Sequence, residues 1–360
     1  MKFKKYYKQL TATLVLLLFI IITCLLKFNY IPIRTSTNNP AVSCDIAVIT
    51  YNSMDSSYTE LIKEGIESAA EVLEKTYQIY NTSDYGNSYE DTIKAAAGKS
   101  SLVILPDSTF EEAVYTAQTR YVNTYFMLID GIPHNPDNSD STFDYNVIPM
   151  SYDEAEAGFL AGYAAVYDDY TKLCFICDET SQKSLHYYYG FLQGADYAAV
   201  STGKTNISVF LVQEMNDESF INKIPKDTEI IAGTNEAINR ILKDNKLNTI
   251  PFINCGSFTA DTKSGAVVTK NIKASVNDTI LDFYNNKVKG GTVLKFNAAN
   301  NGISFVFDTN FFKKFDETAY KNIYKLLSAH KISIISDTTV SPDDLELSAI
   351  TILDNEADPS

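Results

Sequence analysis

Apolar runs and segments of helical spacing alternate along this chain from Cys44 onward. The predicted strands are Cys44–Tyr51, Leu102–Leu105, Tyr125–Asp130, Leu173–Cys177, Ile207–Val212, Glu229–Ala232, Pro251–Cys255 and Ala266–Thr269. The predicted helices are Tyr58–Lys75, Tyr89–Ala97, Phe110–Tyr121, Asp153–Tyr167, Gln182–Ala199 and Ala237–Lys243. Because a helix between two strands lets them run parallel, this alternation predicts an α/β fold with helices on both faces of a parallel sheet.

The chain is too long for a single core of this kind. It has 360 residues, whereas one core rarely grows beyond about 250–300 residues, so we expect two lobes joined by crossover hinge strands. The chain is predicted to cross between them near Asn146–Tyr152 and to return near Val267–Lys273. The predicted first lobe is 43–148 with 270–310, and the second is 149–269 with 311–340.

Three further predictions concern the C-terminal part of the chain. Asn300–Gly302 lies between two apolar runs and is typical of a short hairpin turn. The helical segment Glu317–Ala329 is expected to pack on the second lobe. The tail 341–360 is acidic and is expected to be peripheral, without strong structure.

The N-terminal residues 1–28 are typical of a segment that enters or crosses a membrane. Four lysines among the first eight residues precede the apolar run Leu14–Leu26, which only Thr23 interrupts. The lysines favour an N-terminus inside and the remaining chain outside. The sequence around Cys24 resembles a lipobox, so an uncleaved anchor, a cleaved signal peptide and a lipidated Cys24 all remain open. Residues 29–42 are predicted to be a linker.

Charge and composition restrict the partners. The formal net charge of −15 argues against a nucleic-acid partner and suits a neutral or cationic small ligand. The three histidines are not spaced as a metal site, and no catalytic or phosphate-binding motif is present, so we expect no enzyme, no metal and no cofactor. Cys174 and Cys177 lie three apart on a predicted strand, which predicts packed free thiols on opposite faces.

Four blocks of the sequence together resemble one known family. These blocks are Asp55–Tyr58 with Glu64 and Gly65, Asp153–Ala165, Lys172–Phe191 with Gly194, and Thr269–Lys273. In this order they resemble the basic-membrane-protein family, the purine-nucleoside-receptor type of ABC-transporter substrate-binding proteins. The resemblance covers roughly Cys44 to Ser336 and implies a bilobal type I periplasmic-binding-protein-like fold with a ligand between the lobes.

The resemblance implies ligand-binding roles for the residues after the first predicted strand. Tyr58 would stack on the ligand base, and Asp55 would offer a carboxylate. Thr59 stands where the family has an asparagine, so an amide that both donates and accepts is missing. The alternative is that Asp55 only caps a helix and Tyr58 only packs in its first turn.

The resemblance implies ligand-binding roles for two further residues, Asp130 and Tyr187. Asp130 ends the predicted strand Tyr125–Asp130, and its carboxylate would accept hydrogen bonds from ribose hydroxyls. Tyr187 replaces a family phenylalanine and would close a base sandwich with Tyr58. Capping of the loop from Gly131 to His134 is the other reading of Asp130.

Three remaining candidates come from later strand ends. Gly233 would let a ligand approach the backbone closely or would only form a tight turn. Gly256 stands where the family carries an aspartate for the sugar, so that acceptor is lost unless Ser257 or Asp261 replaces it. Lys273 matches a family lysine that reaches the pocket, although a solvated lysine at a helix start is equally consistent.

The sequence therefore predicts a membrane-tethered, extracytoplasmic solute-binding protein. The resemblance implies a nucleoside-like small molecule as ligand and an ABC permease as partner, with the membrane contacted through the N-terminal segment. The alternative is a ligand-sensing or regulatory module with an altered or degenerate pocket.

Intact-mass analysis of membrane-extracted protein tests the N-terminal prediction. If the segment is an uncleaved span, we expect a mass that includes Met1; length alone does not decide this, because the apolar run with its small flanking residues only reaches the lower limit of about 17 residues for a spanning helix. A mass that begins at a diacylated Cys24 would overturn the uncleaved anchor.

Overall fold

The computed structural model describes residues 44–354 apart from 138–140, 214–217, 245–246, 248, 257–264 and 308–309. The predicted membrane segment 1–28, Cys24 and the linker 29–42 lie outside the described residues. Among the described residues, no helix combines the length and the apolar character needed to cross a membrane.

Strands and helices alternate from Ile46 to Asp354. The strands are β1 (Ile46–Thr50), β2 (Tyr77–Asn81), β3 (Leu102–Leu105), β4 (Tyr125–Leu128), β5 (Val147–Tyr152), β6 (Lys172–Cys177), β7 (Ile207–Gln213), β8 (Ile230–Thr234), β9 (Phe252–Cys255), β10 (Gly265–Lys270), β11 (Leu294–Phe296), β12 (Ile303–Phe307) and β13 (Ile350–Asp354). The α-helices are α1 (Ser56–Leu73), α2 (Tyr89–Ala97), α3 (Glu111–Arg120), α4 (Glu154–Tyr167), α5 (Gln182–Thr202), α6 (Asn235–Ile241), α7 (Ile272–Tyr284) and α8 (Glu317–Ser328).

The strands form two separate sheets. The first is six-stranded with the order β11-β5-β4-β3-β1-β2, and the second is seven-stranded with the order β12-β10-β9-β8-β6-β7-β13. Every pairing is parallel except that of β10 with β12. The predicted α/β class with two parallel sheets is therefore confirmed.

Each sheet is covered on both faces because alternate strand residues point to opposite sides. In β1, Ile46 and Val48 join one apolar cluster with residues of α1 and α7. Ala47 and Ile49 join a second cluster with residues of α2 and α3. The continuous apolar runs from which we predicted strands are therefore strands that are buried on both faces of the sheet.

The chain passes between the sheets at three places. It leaves the first sheet after Tyr152, returns after Lys270, and crosses again between β11 and β12. The crossings are hydrogen bonded to one another: the Asp153 N–H donates to the Phe296 carbonyl at 2.9 Å, and the Asn271 N–H donates to the Gly302 carbonyl at 2.9 Å. Three adjacent crossings of this kind are the arrangement expected of a hinge between two lobes.

The predicted hairpin at Asn300–Gly302 is wrong. The two strands beside it, β11 and β12, belong to different sheets, and Ala298–Asn300 forms a short 3-10 helix at the third crossing. As a consequence β12, which we expected in the first lobe, pairs with β10 in the second sheet. The residues at Asn300–Gly302 favour a change of chain direction, but the local sequence does not say which sheet the next strand joins.

The acidic tail is also more structured than expected. β13 pairs in parallel with β7 as the edge strand of the second sheet, and Asp196 accepts hydrogen bonds from the backbone of Ser348 and Ala349 just before it. The predicted helix near Glu317–Ala329 does pack on the second lobe, through Ala319, Ile323 and Leu327.

The cysteines on β6 are buried thiols that form no disulfide within the described part of the chain, as predicted. Cys174 lies in the cluster that contains Phe220 and Ile238, and Cys177 lies in the cluster around α4 and α5. Since these clusters cover opposite faces of the second sheet, the two thiols point apart. Burial raises the pKa of Cys174 above its ordinary value.

Helices α4 and α5 pack unusually close together. Each carries two glycines four residues apart, Gly158 and Gly162 on α4, and Gly190 and Gly194 on α5. A methyl group at Gly190 would lie 1.9 Å from the Ala155 carbonyl oxygen, and one at Gly194 would lie 2.0 Å from the Phe159 carbonyl oxygen. Two of the blocks that resemble the family therefore encode a helix contact that only glycine permits.

We expect Gly190→Ala to lower the free energy of unfolding by about 1–3 kcal/mol, because the added methyl forces the two helices apart. The intrinsic helix preference for alanine is outweighed by this clash. Thermal and urea unfolding followed by circular dichroism measure the change.

Gly98→Ala is the matched control. Gly98 has helical backbone angles, and a methyl there would meet nothing closer than 3.7 Å. This variant should be as stable as the parent chain. Equal stability of the two variants would contradict the close-packing interpretation.

Candidate ligand-binding site between the two sheets

Asp130 lies where the two sheets face each other, just beyond the carboxyl end of β4. Its backbone adopts a left-handed conformation with φ of 53°, which is uncommon for a residue other than glycine and concentrates at functional sites. The following residues hold it there. The Gly131 N–H donates to the Met150 carbonyl at 3.1 Å, and the Ile132 N–H donates to Glu111 Oε1 at 2.9 Å.

Lys270, the last residue of β10, binds this carboxylate from the second sheet. Its Nζ lies 2.9 Å from Asp130 Oδ1, 2.8 Å from Asp130 Oδ2 and 2.6 Å from Oε1 of Glu154, the first residue of α4. The ammonium also lies 5.5 Å from the ring centre of Tyr152. Lys270 is only 6% exposed, and its three donors are all used, so the buried charge is fully compensated.

Lys183, in the first turn of α5, is a second cation on the same carboxylate. Its Nζ lies 2.7 Å from Asp130 Oδ2 and 2.9 Å from the Asp130 carbonyl oxygen. Its side chain is 44% exposed, in contrast to that of Lys270. His186 lies one turn further along α5, with Nδ1 3.9 Å from Glu154 Oε2. We call Asp130, Glu154, Lys183 and Lys270 the interlobe ion cluster.

The protonation of the cluster follows from its charges. Burial alone would raise the pKa of Asp130, but the ammonium groups of Lys270 and Lys183 outweigh burial and hold that pKa below its usual range. Burial would lower the pKa of Lys270, but Asp130 and Glu154 raise it well above its usual value. Both groups are therefore charged at neutral pH. The contribution of Asp130 to stability is present above about pH 4, its unfolded pKa, and is lost as the pH falls further.

Tyr187 and Gly256 lie beside this cluster. Tyr187 is 4% exposed, and its hydroxyl has no hydrogen-bond partner among the residues that the structure describes. Burial raises its pKa, which the charges of Lys270, Glu154 and Asp130 also influence. Gly256 has φ of 93°, and a methyl there would lie 3.2 Å from the Tyr187 hydroxyl. Ser257 and Asp261, the residues that could replace the missing acceptor, lie outside the described residues.

Tyr58 lies on the first-lobe side and is largely buried. It packs in the cluster with Ile62 and Ile66, and its hydroxyl donates to the Pro106 carbonyl at 2.5 Å. Burial and then the charge of Asp130 raise its pKa well above the usual value. The charge of Asp130 therefore acts on the Tyr58 hydroxyl, while the Tyr58 ring packs in the core of the first lobe.

The side chains of Asp55 and Thr59 form hydrogen bonds within the start of α1. The Asp55 carboxylate caps α1 by accepting from the Ser57 and Tyr58 N–H groups at 2.8 and 3.0 Å. The Thr59 hydroxyl donates to the Asp55 carbonyl at 2.8 Å. Asp55 thus caps the helix, which is the alternative role that the sequence left open.

Gly233 and Lys273 lie away from the interlobe ion cluster. Gly233 is part of β8, where a methyl would lie 3.1 Å from the Ile176 carbonyl oxygen, so it serves close strand packing. Lys273 is exposed and pairs with Glu64 at 2.8 Å. The lysine that reaches the space between the sheets is Lys270, three residues earlier.

Sequence reasoning missed Lys270, Lys183 and Glu154, although all three lie inside the blocks that carry the family resemblance. Lys270 directly follows the predicted strand Ala266–Thr269, and ligands of open α/β sheets bind beyond strand carboxyl ends. That rule would have selected it. Lys183 and Glu154 gave no such signal, because lysines and glutamates near helix starts are usually solvated. Among the described residues, no group of three or more His, Cys, Asp or Glu side chains could hold a metal ion.

Two doubly wound sheets joined by three crossings, with strand ends facing across a hinge, define a type I periplasmic-binding-protein-like fold. The family model Bmp, described as ABC transporter substrate-binding protein PnrA-like, matches residues 46–343. The chain belongs to this family. It is accordingly an extracytoplasmic substrate-binding protein of an ABC system, with a small molecule as ligand and a permease as partner.

Solved structures support the fold. A solute-binding protein from Conexibacter woesei DSM 14684 is 13% identical with a TM-score of 0.59, over 81% of this chain and 98% of that chain. One from Aeropyrum pernix K1 is 15% identical with a TM-score of 0.55, over 84% and 90%. A transcriptional activator of the comK gene from Bacillus halodurans is 12% identical with a TM-score of 0.59, over 83% and 99%. No curated protein sequence matched the chain.

We expect Lys270→Met to lower the free energy of unfolding by about 3–5 kcal/mol, because it leaves the buried Glu154 carboxylate without its ammonium partner and Asp130 with only Lys183. Urea unfolding at neutral pH measures this loss.

Lys287→Met is the control, since Lys287 is 69% exposed and its pair with Asp282 is on the surface. Such a pair contributes about 0–1 kcal/mol. If both variants lose the same small amount, Lys270 is not the buried cation described here.

Proposed function

We propose that this protein is a membrane-tethered solute-binding protein that captures a nucleoside or a similar small polar ligand between its two lobes for an ABC importer. The observation that carries the proposal is the convergence of polar groups from both sheets on one point. Asp130 comes from the first sheet, whereas Lys270 and Lys183 come from the second. Tethering would come from residues 1–28, and either the apolar run or a lipid on Cys24 would provide it.

The position of each charged pair relative to the hinge supports a closing motion. Glu154 directly follows the crossing at Asp153, and Lys270 directly precedes the crossing at Asn271. Atoms close to a hinge axis move little when lobes rotate, so the contacts of Lys270 should persist in an open form. Lys183 lies on α5 and adjoins no crossing in sequence, and its side chain is 44% exposed, whereas that of Lys270 is 6% exposed. The contact of Lys183 with Asp130 is therefore the one that opening breaks.

A nucleoside could use the groups that opening frees. Adjacent ribose hydroxyls would donate to the Asp130 carboxylate, which can accept several hydrogen bonds. The base would lie toward Tyr187, whose ring offers stacking and whose hydroxyl, without a partner among the described residues, offers a polar contact. Closure around the solute would produce the form that the permease recognises.

We expect at least one purine nucleoside to raise the melting temperature of the detergent-solubilised full-length chain, because a ligand that binds only the folded state stabilises it by mass action. Asp130→Asn should abolish the shift, since the carboxylate that accepts from the ribose is lost. Differential scanning calorimetry of each variant with and without nucleoside measures it. The asparagine is chosen because alanine would also leave a cavity beside Lys270.

Tyr189→Phe is the control for the loss of a buried polar group on α5. The Tyr189 hydroxyl donates to the Val340 carbonyl at 2.5 Å, outside the interlobe ion cluster. This variant should keep the full nucleoside shift. If no nucleoside or base shifts the melting temperature of the parent chain at millimolar concentration, the nucleoside proposal is wrong.

A further inference from the structure

Two hydrogen-bond donors beside Asp130 have unused capacity. An ammonium group has three donors, and Lys183 directs contacts only to the carboxylate and carbonyl of Asp130 among the described residues. The Tyr187 hydroxyl is buried without a partner in the same part of the chain. Lys183 and Tyr187 are four residues apart on α5, so they lie on the same face of the helix. Both side chains border Asp130, Lys183 by direct contact and Tyr187 through the charge that acts on its hydroxyl.

The acceptors of the same region are already engaged. Both oxygens of Asp130 receive lysine donors, and Glu154 Oε1 receives Lys270. Gly256, which faces the Tyr187 hydroxyl, contributes no side chain at the place where the family resemblance implies an aspartate. The Tyr187 hydroxyl, buried without a partner among the described residues, and the third donor of Lys183 therefore favour a solute that brings acceptors to this region.

The position of Lys183 in α5 is a second argument for an anion beside this lysine. Lys183 is the second residue of α5, and the first turn of that helix contains no acidic residue. The N-terminal end of a helix is electrostatically positive, so a lysine there is unfavourable unless an anion lies close by. In this structure that anion is the Asp130 carboxylate, 2.7 Å away. When the lobes open, Lys183 loses it.

We propose that the solute carries an anionic group, a phosphate or a carboxylate, which Lys183 and the Tyr187 hydroxyl hold, and that Asp130 takes this place when the lobes close empty. The inference rests on the proposed function, and it makes a nucleoside monophosphate a better ligand than the nucleoside. Lys183 is the residue that sets this preference, because Lys270 stays with Asp130 and Glu154 at the hinge.

The acidic character of the whole chain does not by itself exclude an anionic solute. Charges more than about 8 Å away are largely screened at physiological ionic strength. The interlobe ion cluster pairs two carboxylates with two ammonium groups, so it adds no net negative charge at the site. The net charge of −15 favours a neutral or cationic ligand, whereas the donors of Lys183 and Tyr187 favour an anionic one, and the comparison of ligands below decides between them.

Isothermal titration of the detergent-solubilised full-length chain with matched ligands tests the proposal. The ligands are adenosine, adenosine 5′-monophosphate, adenosine 5′-carboxylic acid and inorganic phosphate, each at low and at high salt. We expect the monophosphate or the carboxylic acid to bind at least about tenfold more tightly than adenosine, and this advantage to shrink at high salt. Whichever of the two binds better identifies the anionic group.

Lys183→Gln should remove the advantage of the anionic ligand, so that the monophosphate and the carboxylic acid bind this variant no more tightly than adenosine does. Lys172→Gln is the matched control. Lys172 is 50% exposed and pairs with Asp227, so its substitution also removes one charge and one ion pair, but at the opposite end of β6. It should keep the full advantage. The comparison of ligands on the parent chain needs no variant, so a folding defect in Lys183→Gln cannot hide the answer.

The outcomes separate this inference from the proposed function. Equal or tighter binding of adenosine overturns the inference and leaves nucleoside capture standing. Loss of the anionic advantage in Lys172→Gln as well as in Lys183→Gln also overturns it, because a general charge effect would then explain the preference. Absence of binding by every adenosine-containing ligand overturns the proposed function and the inference together.

Discussion

The contact on which the arrangement of the two lobes depends is the burial of one ammonium group between two carboxylates. Lys270 is held by Asp130 and Glu154 with distances of 2.6 to 2.9 Å. Removing these charges from water costs several kcal/mol for each ion, and the cost is compensated only if the partners and the geometry are complete. Asp130 comes from the first sheet, whereas Lys270 and Glu154 adjoin two crossings of the hinge. Charge compensation and the position of the lobes are therefore linked.

The second cation, Lys183, differs in its surroundings. It is partly exposed, adjoins no crossing in sequence and shares Asp130 with Lys270. A partly exposed pair contributes much less to stability than a buried one, because water solvates both groups when it opens. Such a contact can be exchanged for a solute at small cost. The interlobe ion cluster thus combines one buried cation, Lys270, with one partly exposed cation, Lys183, on the same carboxylate.

Much of the fold was predictable from the sequence, because a parallel strand covered on both faces must be apolar along its whole length. The apolar runs at β1, β3, β6 and β9 met that condition and were found within one or two residues. The assignment of β12 to its sheet was not predictable. The residues at Asn300–Gly302 favour a turn, but they do not encode whether the chain turns back in one sheet or crosses to the other. The edge strand β13 was missed for a similar reason, since its pairing partner is far away in sequence.

The sequence by itself determined that strands and helices alternate, that α4 and α5 carry paired glycines, and that Asp130 follows a strand. These features depend on local spacing, which the chain encodes directly. Only the tertiary structure decided that Lys270, not Lys273, reaches Asp130, and that Asp55 is used as a helix cap. The two lysines are separated by the crossing at Asn271, so one belongs to the second sheet and the other to a helix of the first lobe. Their roles differ because burial and the distance to a counter-charge are properties of the folded chain.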